Sequence, residues 1–273
     1  MWETKTSCIL TFLNEYGSEN FMNAQLPSFL AFDPALDLVR IGRDYDGGYL
    51  ISLADLDHAD ILLGLGINDD WSFESEFAAL SKVPVVAYDA SVNERKFLKR
   101  FLQYLPRINR WKTIWQRYKT YRSYRDFFVT GPNTHIEKFV GLNSKNPAHC
   151  TLLSILEETV SNNIFLKIDI EGSEYRLFDT LIDCAERITG LVIELHDCDL
   201  HLTNIKKFIQ NFDLSLVHVH ANNYGPIRSE DGLPLVLELT FSRYAERGGK
   251  INFPHHLDMP NNPFIDEIKL EII

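Results

Sequence analysis

The sequence predicts an α/β fold built on a seven-stranded, mostly parallel, doubly wound sheet, and three observations carry that expectation. Apolar, β-prone runs recur near residues 61–66, 84–89, 136–142, 164–169, 190–196, 214–220 and 235–241. Helix-like segments near 72–82, 91–104, 151–161, 173–186 and 202–212 fall between them. Strands alternating with helices of roughly 10–15 residues build βαβ units and a parallel sheet. The last two runs have no helix between them, so the final strand is expected to run antiparallel at the sheet's end.

Taken in order, residues 1–36 mix helix-like stretches with Asn and Pro and read as an N-terminal cap. Leu38 to Ile51 then places two short β-prone runs around Asp46-Gly47-Gly48, a hairpin signal. The strand–helix alternation starts at Ile61, and segment 105–134 interrupts it as an insertion. With no repeat, low-complexity tract or separating linker, the chain reads as one domain. Residues 1–60 form its cap and hairpin, 61–241 its core and 242–273 its C-terminal tail.

Bulk composition sets the class. A chain of 273 residues, 45% hydrophobic and 24% charged, is ordinary for a globular protein. No apolar run approaches the ~20 residues that span a bilayer, and Met1 to Lys5 has no basic segment leading into an apolar one. Cys8, Cys150, Cys184 and Cys198 are widely separated, as reduced thiols of a cytoplasmic protein would be. The expectation is a cytoplasmic protein with no membrane partner and self-association left open. The net charge of −11 opposes bulk nucleic-acid binding. Yet nine Lys or Arg and no acid fall between Lys99 and Arg125, leaving −20 for the remainder, so an anion is expected to meet that stretch.

Five constellations carry chemistry. Apolar Ile164-Phe165-Leu166 leads into Lys167-Ile168-Asp169-Ile170-Glu171-Gly172-Ser173-Glu174, two acids and a glycine turn at a strand end, where ligands of open α/β sheets sit. A helix cap from Asp169 or Ser173 is the plain alternative. The first core strand ends in Gly64-Leu65-Gly66-Ile67-Asn68-Asp69-Asp70. Its glycines admit a close ligand approach, its acids suit a cationic or hydroxyl-rich ligand, and Ser72 is placed to cap the next helix. The second strand ends in Asp89, 23 residues after Gly66, the spacing of a ribose-gripping acid or a plain cap. Glu194 with His196, and His218 with His220, share strand faces by the period of two. With Asp169 and Glu171 they form a donor set for a divalent cation of the Mn, Mg or Fe type, or supply a general base. The basic insertion interleaves aromatics, with Trp111, Trp115 and Tyr118 on one helical face. That stripe reads first as packed against the domain, and otherwise as a lid for phosphate and a stacked base, or as a nucleic-acid contact.

These blocks, from Arg40-Ile41-Gly42 and Asp46-Gly47-Gly48-Tyr49-Leu50 through the glycine turn to Asp169–Glu174 and Ile193-Glu194-Leu195-His196, resemble the FkbM-type S-adenosylmethionine-dependent methyltransferases, in order over residues 38–241. The resemblance implies the class I methyltransferase fold and methyl transfer to a hydroxyl oxygen. It places Gly64, Gly66 and Asn68 at the cofactor's amino-acid end, Asp89 on its ribose, and Asp169 where cofactor and acceptor meet. Leu63 stands where many class I methyltransferases have an acid, which leaves the methionine ammonium to Asp69, to Asp46 beside Gly47, or to a backbone carbonyl.

The resulting expectation is an O-methyltransferase of carbohydrate biosynthesis, acting on a sugar or other small metabolite activated with a nucleotide. Asp169 and His196 are its catalytic pair, and Asp169, Glu171, His196 and His220 its cation ligands. A metal-dependent hydrolase and a non-catalytic nucleotide-sugar binding protein are the alternatives.

Overall fold

The computed structural model describes residues 22–143 and 145–273; the first 21 residues of the expected cap lie outside it. The strands are β1 (Asn23–Leu26), β2 (Leu38–Ile41), β3 (Tyr49–Ser52), β4 (Ile61–Leu65), β5 (Val85–Tyr88), β6 (Thr134–Ile136), β7 (Phe139–Val140), β8 (His149–Cys150), β9 (Ile164–Ile168), β10 (Ile188–Leu195), β11 (Ser215–Ala221), β12 (Leu237–Ser242) and β13 (Lys269–Ile272). The helices are α1 (Leu53–His58), α2 (Ser72–Ser81), α3 (Glu94–Tyr104), α4 (Trp111–Tyr124), α5 (Leu152–Glu158), α6 (Phe178–Asp183) and α7 (Cys198–Asn211).

Seven strands form the central sheet in the order β11-β12-β10-β9-β4-β5-β6. All are parallel except β12, which pairs antiparallel with both β10 and β11. This is the seven-stranded, mostly parallel Rossmann-like sheet of the expected methyltransferase fold, and the chain reverses direction across it between β4 and β9. One expectation changes. The antiparallel strand sits inside the sheet, and β11 forms the edge, because the chain from β11 turns back into the gap beside β10.

Residues next to one another in each strand feed opposite cores. Leu63 and Leu65, Leu166 and Ile168, and Leu191 and Ile193 pack with α5, α6 and α7 through Ile155, Leu181 and Phe208. Leu62, Phe165 and Val192 turn the other way, onto Phe73 and Phe77 of α2 and Ile41 and Ile51 of the β2–β3 hairpin. Burial on both faces is why these strands read as continuous apolar runs rather than alternating ones.

Other boundaries shift for local reasons. The run at 136–142 divides: Thr134–Ile136 joins the sheet, whereas Phe139–Val140 pairs with His149–Cys150. The expected helix at 173–186 divides into a 3-10 turn, α6 and a second 3-10 turn. The tail closes on the start of the chain, with β13 parallel to β1. The 105–134 insertion extends α3 into a helical hairpin with α4, ended by a π-turn at Arg125–Val129. Its packed face is Tyr124 and Phe128 against Trp71 and Phe97. Trp111 and Trp115 are 63% and 53% exposed, so the tryptophans of the expected aromatic stripe do not pack on the domain, while its Tyr118 meets Phe101 of α3. No helix among the described residues is long and apolar enough to cross a membrane.

Candidate functional site

A cavity of about 890 Å³ opens at the carboxyl ends of β4, β5, β9 and β10, where an open α/β sheet binds its ligands. One wall is the loop after β4. Gly66 has φ +83 and Asn68 φ +42, the left-handed region that a tight loop exploits. Asp89 at the end of β5 holds this loop: its Oδ2 accepts the amides of Ile67 at 3.0 Å and Asn68 at 2.8 Å, and its Oδ1 that of Ser91 at 2.6 Å. Burial alone would raise the Asp89 carboxyl, but these bonds from Ser91, Asn68 and Ile67 outweigh it and lower it. Asp89 lines the cavity while serving first as the clamp of the glycine loop.

Gly64 departs from its expected role. It does not line the cavity; a Cβ there would lie 2.8 Å from Glu74 Oε1, so the missing side chain makes room for that carboxylate. Ser72 does not cap α2 either: it is the first residue of the helix, its amide donates to Asp70 Oδ1 at 3.0 Å, and its hydroxyl accepts the Arg43 amide at 3.1 Å. Glu74 is fully buried, borders the cavity and has a buried Oε1 without a hydrogen-bond partner. Desolvation raises it to about 7, with Lys167 opposing and Asp70 and Asp169 adding.

The facing wall is the loop after β9. Neither Asp169 nor Ser173 caps a helix by its side chain; Glu174 Oε1 instead accepts the amides of Ile170 at 3.0 Å and Gly172 at 3.1 Å. The same oxygen lies 3.3 Å from His196 Nδ1, which leaves Nε2 facing Glu171 at 3.5 Å and Glu194 at 3.9 Å. Asp169, Glu171 and His196 offer ligand atoms all within 4.8 Å of one another. Glu171 holds φ +54, and Asp197, next to His196, holds φ +50. Non-glycine residues in this region store strain that collects at functional sites.

A buried polar cluster lies beneath these groups. Lys167 Nζ donates to the Gly66 carbonyl at 2.7 Å and reaches Asp169 at 3.5 Å. The Tyr49 hydroxyl lies 3.1 Å from Glu194 and 3.4 Å from Asp169, and Asn222 donates to Glu194 at 2.8 Å. Burial, with Asp169 and Glu238 adding, pushes Glu194 up to about 8. Burial opposes the charge on His196, but Glu174, Glu194 and Asp169 outweigh it and raise the imidazole to about 9. The acids around His196 thus favour the protonated form of its ring.

His220 is excluded from this site. It lies on β11, two strands from β10, with Nδ1 2.9 Å from Glu238 and Nε2 3.1 Å from Glu267, and it does not border the cavity. Both ring nitrogens are engaged, so the expected ligand role does not hold. His218 pairs likewise with Asp258 at 3.0 Å. Asp46, Gly47 and Asp69 do border the cavity. Asp46 is paired with Arg43 at 3.6 Å, and Asp69 with Arg100 and Arg117 of the helical hairpin at 3.7 and 3.5 Å.

Sequence reasoning did not assign Tyr49, Glu74, Lys167, Glu174 or Asn222. Lys167 carried a signal, since a lysine inside a fully buried strand demands partners. Tyr49 and Glu74 become visible only when their elements fold over the sheet.

No family model and no curated protein matches the chain. Among solved structures, a precorrin-6y C5,15-methyltransferase from Geobacter metallireducens is 14% identical over 70% of this chain and 86% of its own, with a TM-score of 0.37. An rRNA methylase from Streptococcus thermophilus is 10% identical over 69% and 92%, with a TM-score of 0.35. The 23S rRNA methyltransferase ErmE is 11% identical over 72% and 66%, with a TM-score of 0.37.

Proposed function

We propose that this protein is an S-adenosylmethionine-dependent O-methyltransferase acting on a hydroxyl of a sugar or other small metabolite, as FkbM-type enzymes do, in the cytoplasm. The observation that carries the reading is the cavity at the strand ends, with a glycine loop on one side and Asp169 and His196 on the other. The residues present fit the cofactor. Gly66 and Asn68 present backbone, Asp89 would meet the ribose, and the unpartnered Glu74 oxygen would answer the methionine ammonium better than Asp69 or Asp46, which already face arginines.

When bound, the cofactor supplies an electrophilic methyl group on a sulfonium. The acceptor oxygen must reach it in line, at about 3 Å. Asp169 and His196 stand where that hydroxyl would be held and its proton received. The acids gathered around His196 favour positive charge at this point, which supports a reading in which Asp169, Glu171 and His196 Nε2 hold a divalent cation. Such a cation lowers the pKa of a bound hydroxyl, and the convergence of the three side chains suits one.

A nucleotide-activated acceptor would find cations in Arg100 and Arg117, which meet Asp69 on the cavity wall, while the net charge of −11 opposes RNA as acceptor. Titration calorimetry with S-adenosylmethionine and its demethylated product tests the cofactor, with micromolar binding, about −8 kcal/mol, expected. Tight NAD binding without either ligand would overturn the reading. Methyl transfer from labelled cofactor to a panel of sugar nucleotides tests the reaction, and binding of sugar nucleotides without turnover would select the non-catalytic alternative.

A further inference from the structure

We propose that the α3–α4 hairpin docks this protein on an anionic phospholipid bilayer. Trp111, Lys112, Trp115, Gln116, Lys119 and Arg122 are exposed along one face of α4. Tyr118, stacked on Trp115 at 5.5 Å, meets Phe101 of α3 at 5.4 Å between ring centroids, and the opposite face of α4 buries Tyr124. At the end of α3, Leu102 and Leu105 are 49% and 44% exposed. The distal part of the hairpin therefore shows two tryptophans and two leucines to solvent, an apolar group that a water-facing surface rarely keeps without a purpose.

The charges around it are of one sign. Arg107, Arg110, Lys112 and Lys119 have no carboxylate within ion-pair distance among the described residues. Lys112 and Lys119 lie over the Trp111 and Trp115 rings at 6.0 and 5.6 Å. The hairpin's acid partners are elsewhere: Arg100 and Arg117 meet Asp69 at its root, Arg122 meets Asp126 and Arg125 meets Glu94. Amphipathic Trp and Leu in a cationic setting is the pattern of an interfacial helix on anionic lipid. The rest of the chain, at −20, would be repelled by the same surface, which confines contact to this hairpin.

Exposed leucine favours lipid over a nucleic acid, which would use the tryptophans for stacking but leave Leu102 and Leu105 without a role. The inference replaces the sequence expectation of no membrane partner with docking that does not span the bilayer. Through Asp69, which borders the cavity, the docked element connects directly to the cavity rim.

The test mixes the full chain with phosphatidylcholine vesicles, with and without phosphatidylglycerol, and measures co-flotation. At least ~10-fold more protein should float with the anionic vesicles, and the difference should shrink with added salt. Brominated lipid should quench tryptophan emission. Trp111→Gln with Trp115→Gln should abolish the quenching and most of the flotation, and Lys112→Gln with Lys119→Gln should remove the dependence on anionic lipid. All four positions are exposed, so an unchanged unfolding midpoint verifies the fold. Equal recovery with both vesicle types overturns the proposal, as does a single-stranded oligonucleotide that displaces the protein from anionic vesicles. No methyl donor enters the assay, so its outcome is separate from that of the methyltransferase reading.

Discussion

Gly66 and Asp169 meet backbone to backbone: a Cβ on Gly66 would stand 1.7 Å from the Asp169 carbonyl oxygen, while the Asp169 amide donates to Leu65 O at 2.9 Å. The two walls of the cavity are thus one contact, closed by a residue without a side chain. Gly66→Ala must displace the second loop and also bear its left-handed φ. The expected outcome is a loss of about 2 kcal/mol or more, read by denaturant unfolding. Cofactor affinity measured on the remaining folded protein should fall as well. A variant of unchanged stability would show that the loops are not mutually constrained.

If Glu74 receives the methionine ammonium, cofactor binding should depend on pH. Its carboxyl, raised to about 7 by burial, pairs with a cationic group only when ionised. Affinity for S-adenosylmethionine should therefore rise with pH, by roughly 10-fold between pH 6 and pH 8. In Glu74→Gln the affinity should drop by about 10-fold at pH 8 and the slope should vanish. Calorimetry at several pH values checks both, and an undiminished slope in the variant would remove Glu74 from the pocket.

His196 separates a cation from a general base. With its imidazole raised to about 9, a base mechanism requires the rate to climb with pH toward 9, and His196→Ala should lose that limb. A cation mechanism displaces the proton. Chelator should then stop turnover, and Mn²⁺ or Mg²⁺ should restore it in the parent but not in His196→Ala. Full activity in both His196→Ala and Asp169→Ala would end the catalytic assignment.

Asp258 is a stability residue outside the site. Burial by itself raises its carboxyl, but His218 at 3.0 Å outweighs this and holds it at about 2 against an ordinary 3.8. A depressed acid contributes stability that is present above pH 3.8 and lost as pH falls toward 2. The shift corresponds to about 2 kcal/mol. Asp258→Asn should cost that much at neutral pH and little near pH 2, as urea midpoints across the range would show.

By itself, the sequence determined the layer architecture and the ends of its strands. Continuous apolar runs separated by helices admit a parallel sheet covered on both faces, and the strand-end residues Gly66, Asp89, Asp169 and His196 follow directly from where each run stops. The β2–β3 hairpin was legible for the same local reason, its Asp-Gly-Gly turn. Tertiary structure decided what those residues do. Gly64 admits Glu74 because α2 folds over that face of β4, and His220 is taken up by Glu238 and Glu267 because β12 enters beside β11. Trp111 and Trp115 stay exposed because α3 and the sheet instead bury the Tyr124 side of α4. Spacing along a chain specifies which face a side chain occupies within its own element; which partner covers that face is set by packing between segments distant in sequence.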